Sequence, residues 1–305
     1  MGEPGFQIVG LGEILWDLFP TGRQLGGAPA NFAYISNLLG NRGIVASRVG
    51  DDELGRAALE QLAQRGISME SIQSDGIHPT GTVRVEVDGA GQPRFEIAEG
   101  VAWDYLEWTP EWKRLAGATD AVCFGSLAQR CPTTGATIRK FLQAMRSGTV
   151  RVFDVNLRQR FFTRDILVRS MEVADIVKLN HEELPRILAM LEIAEAGEKD
   201  GALKLAARHN LTLVCVTRGS AGSLVVTKDQ KCAEHPGFRV KVADTVGAGD
   251  AFTAGMVHAY LRGASLAEMS EAANRVGAWV ASQAGGMPAV PESGLERALT
   301  TMDER

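Results

Sequence analysis

Short apolar segments alternate with longer amphipathic ones along most of this chain, and that rhythm limits the fold more than any other feature. Phe6–Leu11 reads as a first strand. Pro29–Leu39 reads as a helix, because Phe32, Ile35 and Leu39 fall on one face and Gly40 follows as a stop. Gly43–Val49 is strand-like, and Leu54–Arg65 is helix-like up to Gly66. Ala121–Phe124, Val150–Val155, Ile176–Leu179 and Leu213–Thr217 are further apolar strands, each followed by a helical or loop segment. Strands joined through helical crossovers run parallel and carry helices on both faces. The expectation is an α/β three-layer sandwich around a mostly parallel central sheet. No internal repeat divides the chain, so residues 1–305 read as a single domain. Leu188–Lys199 reads as one helix with an acidic surface, and Met302–Arg305 as a frayed polar tail.

One stretch departs from this rhythm. In Thr82–Val87, Val83, Val85 and Val87 point one way while Arg84 and Glu86 point the other. Asp88–Gly91 carries turn residues, and Arg94–Ile97 alternates again. This is a β-hairpin with one apolar face. A lone hairpin is marginal in water, so that face must pack on a substrate, on a second subunit or on the chain's own core.

Composition removes several classes of function. The chain has 32 basic and 37 acidic residues, a formal net charge of −5, which does not suit neutralisation of a nucleic-acid backbone. No run of roughly 18 apolar residues suggests a membrane span, and the N-terminus lacks a basic region leading into an apolar one. Neither nucleic acid nor membrane is expected as a partner. Cys123 and Cys215 sit in the apolar runs Ala-Val-Cys-Phe and Leu-Val-Cys-Val and read as buried thiols. No CxxC pair and no metal-ligand spacing of histidines occurs, so the expectation is a cytoplasmic protein without a zinc site.

The most informative local signal is Asp244-Thr245-Val246-Gly247-Ala248-Gly249-Asp250, running into a helical stretch over Ala251–Leu261. Glycines at 247 and 249 let the backbone turn tightly and approach a ligand closely. The first amides of the helix lack internal partners and point together at one spot, with the positive end of the helix dipole behind them. That combination is an anion site. Asp250 has two readings at this point: a helix cap, or a carboxylate held beside a bound phosphate to take a proton from an attacking hydroxyl. The chain contains no GxxxxGK followed by Ser or Thr, which excludes a P-loop. Gly10-x-Gly12 lacks the third glycine of a dinucleotide fingerprint, and Pro20 and Gly22 stand where its helix should start.

Further motifs accompany that turn. Gly26-Gly27-Ala28-Pro29-Ala30-Asn31 is followed by Leu39-Gly40 and by Val49-Gly50-Asp51-Asp52-x-Leu54-Gly55. Gly12-Glu13-x-x-x-Asp17, Asp154-x-Asn156-x-Arg158, Asn180-x-x-Glu183 and Thr217-Arg218-Gly219-x-x-Gly222 are shorter. Together, over nearly the whole chain, these resemble the ribokinase-like (PfkB-type) carbohydrate kinases, and among them the fructokinases. Asp244–Phe252 is similar to that family's C-terminal signature and Gly26–Asn31 to its N-terminal one.

The resemblance implies a ribokinase-like sandwich with a small β lid over the sugar site, formed by about residues 12–25 and 80–101, and a homodimer through that lid. It implies transfer of the γ-phosphoryl of ATP to a sugar hydroxyl, with Asp250 as the base and the backbone of Gly247, Ala248 and Gly249 as the anion hole. Asp17, Gly27, Asn31 and Arg158 would recognise the sugar; Arg158 would hold a ring oxygen or a carboxylate, unless it is an ordinary surface residue. Thr217, Gly219, Gly222 and Asn274 would meet the nucleotide. Asn180 and Glu183 would orient the water shell of Mg²⁺, unless Glu182 and Glu183 are only the exposed start of a helix. Some members hold a monovalent cation, often K⁺, near the anion hole. Asp244 and carbonyls around Val246, Val280, Gln283 and Gly285 would serve it, unless Asp244 only braces the loop. Fructose is the acceptor the motifs favour, with ribose, a nucleoside or 2-keto-3-deoxygluconate as alternatives, and a non-catalytic sugar or nucleotide sensor as the reading from another class.

Overall fold

The computed structural model describes residues 5–87, 93–290, 295–300 and 302. The chain opens with β1 (Gln7–Leu11) and then leaves the main sheet for β2 (Leu15–Phe19) and β3 (Gly22–Gly26). It returns through α1 (Ala28–Leu38), β4 (Arg42–Gly50), α2 (Glu53–Gln64) and β5 (Ile72–Asp75). The hairpin β6 (Gly81–Val87) and β7 (Pro93–Ile97) follows. Next come α3 (Pro110–Ala118), β8 (Ala121–Gly125), α4 (Pro132–Ala144), β9 (Val150–Asp154), α5 (Arg164–Val173) and β10 (Ile176–Asn180). Then come α6 (Glu183–Met190), α7 (Glu198–Arg208), β11 (Leu213–Thr217), β12 (Ser223–Thr227) and β13 (Cys232–His235). The helices α8 (Ala248–Leu261), α9 (Leu266–Ala281) and α10 (Leu295–Thr300) complete it.

Nine strands form one sheet in the order β13-β12-β11-β10-β9-β8-β1-β4-β5, parallel except where β12 pairs with β11 and β13. Alternation of side chains across each strand makes the three layers. Val9, Leu11 and Phe153 join Phe141, Leu167 and Leu205 in a core between the sheet and α3–α7. Their neighbours Ile8, Val152 and Ile176 join Phe32, Leu62, Met256 and Trp279 in a second core beneath α1, α2, α8 and α9. Such wholly buried side chains contribute ~1.5–3 kcal/mol each.

Helix ends follow from local chemistry. Asp52 caps α2 by accepting from the Gly55 amide, and Ser265 with Glu268 forms a capping box on α9. The single helix expected over Leu188–Lys199 is not there: α6 stops at Met190 and α7 starts at Glu198. Glu192 and Gly197 both adopt positive φ, 55° and 125°, which ends one helix and redirects the chain into the next.

A separate four-stranded sheet has the order β3-β2-β6-β7. Asp17 pairs in register with Val83, and Val83 with Ile97, so the three share one face. Val83 and Ile97 are buried in the main core with Trp103, so the base of the hairpin's apolar face packs on the chain itself. Phe95, nearer the tip, stays 55% exposed. The Asp88–Gly91 turn, the side chains of Val85 and Val87, and residues 303–305 lie outside the described residues. Among those described, no helix is long and apolar enough to cross a membrane. Cys123 and Cys215 are buried, Cys131 is half-buried, Cys232 is exposed, and all four are free thiols.

Candidate active site

From β1 the sheet grows in opposite directions, through β4 on one side and β8 on the other. A crevice therefore opens beyond the carboxyl ends of β1 and β8, the place where open α/β sheets hold ligands. A small hollow of about 10 Å³ lies there, lined by Glu13 after β1, Gly125 at the end of β8, Asp154 at the end of β9, and Asp250.

Asp250 enters the hollow from the first turn of α8. Gly247 occupies the cap position in the left-handed region, φ 76°, and a Cβ on it would sit 2.3 Å from Gly286 Cα. No L side chain fits there. The first intrahelical bond runs from the Ala251 amide to the Gly247 carbonyl at 2.8 Å, so the amides of Gly249 and Asp250 precede the ladder. The Ala248 amide reaches back to the Thr245 carbonyl at 3.3 Å. Gly249, unlike Gly247, is not left-handed. A Cβ on it would stand 3.0 Å from Lys178 Nζ, a tight contact that the lysine would have to ease.

Since Gly247 is the cap, Asp250 does not cap its helix. Its Oδ2 accepts a hydrogen bond from Asn31 Nδ2 at 2.8 Å. Burial pushes the Asp250 carboxyl up to about 6, and the charge of Asp154 adds to this, against the Asn31 bond, Lys178 and Arg158. Asn31 is buried on α1, and its Oδ1 has no partner among the described residues. Gly27 caps the same helix with φ 112°, and a Cβ on it would meet the Glu13 carbonyl at 2.5 Å.

Asp17, on β2 of the small sheet, lines neither the hollow nor the turn, but feels the charges of Arg158 and Asp244. Burial pushes it up to about 6, with Asp244 adding and Arg158 opposing. Arg158 is exposed, yet its charge is felt by Glu13, Asp17 and Asp250, so this surface arginine faces the site. Sequence reasoning passed over Glu13 although it stands inside a quoted motif. It is 4% exposed, and burial pushes its carboxyl up to about 7.

Asp154, also inside a quoted motif, was given no role, and Lys178 was missed. They are register partners on β9 and β10, and Lys178 Nζ lies 3.1 Å from each carboxylate oxygen of Asp154. Thr253 of α8 donates to Asp154 Oδ2 at 3.0 Å. A charged residue in the apolar run Ile-Val-Lys-Leu is the sequence signal that could have found Lys178.

The other side of the same turn faces a cleft of about 340 Å³. Thr217, Gly219, Gly222 and Asn274 line it together with Ala248 and Gly249. Asn274 donates to Ser223 Oγ and to the Ser270 carbonyl, both at 2.7 Å, which locks its amide. Thus three residues of one motif and the distant Asn274 meet on one wall of α8's first turn, and Asn31 and Asp250 meet on the other.

Asn180 and Glu183 line neither space. Asn180 Oδ1 accepts from the amides of Glu182 and Glu183, at 2.9 and 2.8 Å, and Glu183 Oε2 accepts from the Asn180 amide at 2.8 Å. Glu183 Oε1 accepts from the Leu157 amide at 2.7 Å. Glu182 is exposed but Glu183 is 6% exposed, so the latter is a bracket between two loops and not the exposed start of a helix. Asp244 accepts from the Val246 amide at 3.0 Å and the Gly285 amide at 3.1 Å, which braces the loop before α8. Among the described residues no group of three or more His, Cys, Asp or Glu could hold a metal. This donor set fits a Mg²⁺ carried by phosphates and water, the usual habit of that ion, and not a protein cage.

Known proteins resemble this chain along most of its length. The chain is 33% identical to a fructokinase from Klebsiella pneumoniae over 308 residues, 95% of this chain and 98% of the relative. A fructokinase from Vibrio cholerae O395, solved with fructose, ADP and calcium ion bound, matches with a TM-score of 0.80 at 26% identity, over 97% of this chain and 99% of that one. The fold also matches a 2-dehydro-3-deoxygluconokinase from Thermotoga maritima, with a TM-score of 0.79 at 20% identity, over 97% and 99% of the two chains. Residues 19–293 match the pfkB family carbohydrate kinases, and with relatives of this likeness along its length the chain belongs to that family and is a phosphotransferase acting on a sugar alcohol group.

Proposed function

We propose that the protein phosphorylates fructose at O6 with ATP, and that Asp250 is the general base. The observation that carries this reading is the position of Asp250: its carboxylate, bonded to Asn31, stands at a helical turn that borders both the crevice and the cleft. The sugar hydroxyl gives its proton to Asp250 as its oxygen bonds to the γ-phosphorus. The bond from that phosphorus to the bridging oxygen breaks, and its electron pair leaves with ADP. Amides of the Gly247–Gly249 turn meet the charge on the moving group.

The crevice holds the sugar. Asp17 and Asn31 bind hydroxyls, Gly27 offers close backbone approach, and Arg158 holds a ring oxygen. The unpartnered Oδ1 of Asn31 supports this, since a buried acceptor normally finds a donor. The cleft holds the nucleotide along Thr217, Gly219, Gly222 and Asn274. Mg²⁺, when bound on the phosphates, would neutralise their charge, and Asn180 and Glu183 would support the loop beside its water shell. A K⁺ ion beside the Asp244 loop belongs to the same reading, as does a cytoplasmic location, which suits four free thiols.

The test is an acceptor panel with coupled ADP detection. Fructose should turn over best, and the product should be fructose 6-phosphate. Fructose used no better than ribose, inosine or 2-keto-3-deoxygluconate would remove the assignment. The fructokinase relatives favour fructose over 2-keto-3-deoxygluconate, and no phosphotransfer to any acceptor would leave a sugar or nucleotide sensor. We extend the proposal to a homodimer through the lid, on the strength of the exposed Phe95. Sedimentation should find a dimer that Phe95→Glu weakens; a parent that sediments as a monomer rejects it.

A further inference from the structure

We propose that the buried Lys178–Asp154 ion pair is a positioning strut for phosphoryl transfer, which sets the first turn of α8 on the sheet and places a cation behind its amides. The proposal rests on the reading of that turn as the phosphoryl site.

The sheet dictates where the pair points. Val152 and Ile176 lie in the core beneath α8, whereas Phe153 and Val177 lie in the opposite core. Side chains alternate along a strand, so Asp154 and Lys178 both rise toward α8. They are register partners on adjacent parallel strands, which puts the ammonium 3.1 Å from both carboxylate oxygens. Both residues are buried, at 4% and 7% exposure.

Two links then run from the pair to the turn. Thr253 Oγ1 lies 3.0 Å from Asp154 Oδ2 and 3.0 Å from the Gly249 carbonyl, so its one proton is shared between the carboxylate and the second residue of α8. Lys178 Nζ lies 3.0 Å from where a Cβ of Gly249 would be, so the ammonium underlies that residue directly. The turn is thus held by a hydroxyl on one side and a charge on the other.

Stability alone does not explain such a pair. Taking two charges out of water costs about as much as their attraction returns, and apolar replacements of similar volume are often neutral or stabilising. An apolar pair could fill this space between β9, β10 and α8. It could neither anchor Thr253 nor add a positive charge behind amides that meet a phosphoryl group. Lys178 lines neither the crevice nor the cleft, so it acts through the turn.

The test is the double variant Asp154→Leu/Lys178→Met in the full chain, at saturating Mg²⁺, with the best acceptor from the panel. It should melt no lower than the parent and bind an ATP analogue within about threefold. Its kcat should fall by at least about 10-fold, the scale at which small misplacement of a reacting group acts. A folded double variant with kcat within about twofold of the parent overturns the strut. Thr253→Val covers a double variant that fails to fold, because it keeps the volume and removes the tie: kcat should fall severalfold at unchanged KM for ATP, and an unchanged kcat overturns the proposal. Asp250→Asn in the otherwise intact chain separates the two ideas. If that variant keeps its activity, the site reading fails; if it is inactive while the strut variants run at full rate, only the strut fails.

Discussion

The two sides of the first turn of α8 are built from opposite materials. On the crevice side Glu13, Asp154 and Asp250 line the hollow, the charges of Lys178 and Arg158 are felt there, and burial raises Glu13, Asp250 and the nearby Asp17 toward neutrality. The cleft side is a broad apolar wall, with Phe238, Val240, Phe252 and Ala278 among its lining and Asn274 already committed to two hydrogen bonds. A charged, tightly coupled crevice can move a proton and read hydroxyls. A roomy apolar cleft can only hold a flat ring and leave its phosphates to backbone amides. One side should therefore control the rate and the other the affinity for nucleotide.

The largest effect that could break this division is at Asp250. Asp250→Asn should lower kcat by at least about 10²-fold, the low end for a positioned base, while binding of an ATP analogue stays near the parent value. Single-turnover kinetics with a nucleotide titration measures both. If kcat stays within a few-fold of the parent, the carboxylate takes no proton and the crevice is a binding surface only. Equal loss of kcat and nucleotide affinity would also erase the distinction between the two sides.

The cleft gives the next effect in size. Ala278→Leu adds bulk where the adjoining wall is formed by Phe252 and Ala281. It should raise KM for ATP by about 10-fold or more with little change in kcat or in KM for the sugar, because extra carbons in a fitted pocket cost ~1–3 kcal/mol. A change in sugar KM of similar size would mean that the two spaces communicate through α8.

The sequence exposed these two sides unequally, for physical reasons. Apolar runs and glycine stops foretold α1, α2, α8 and the parallel strands, because period and punctuation are local properties. The Gly247 turn was readable for the same reason: glycine takes its φ of 76° without strain. Partnerships across the sheet were not readable. Lys178 and Asp154 are distant in sequence and meet only through the β9–β10 register. Glu13 looks like any strand-end carboxylate until α1 closes over it. Gly249 reads as a tight-turn glycine, yet its φ is not left-handed and its close neighbour is Lys178. The failed helix over Leu188–Lys199 came from trusting pattern where Gly197 and Glu192 break the backbone.

The smallest effect sharpens the crevice itself. A base must be ionised to accept a proton, so activity should be present above the carboxyl's pKa and lost as pH falls through it. With Asp250 pushed up to about 6, kcat/KM should have an acid limb near that pH. Glu13 beside it stands at about 7 and feels its charge, so the limb belongs to the pair and not to one residue. The Asn31 bond favours the ionised form of Asp250, hence Asn31→Leu should move the limb upward. The shift should reach about one pH unit at most, since a hydrogen bond to a charged group contributes ~1.5 kcal/mol and one unit corresponds to ~1.36 kcal/mol. A pH profile that does not move, in a variant that still binds nucleotide, would mean that Asn31 only shapes the crevice. A downward shift would mean that the proton taken from the sugar is not held by Asp250 at all.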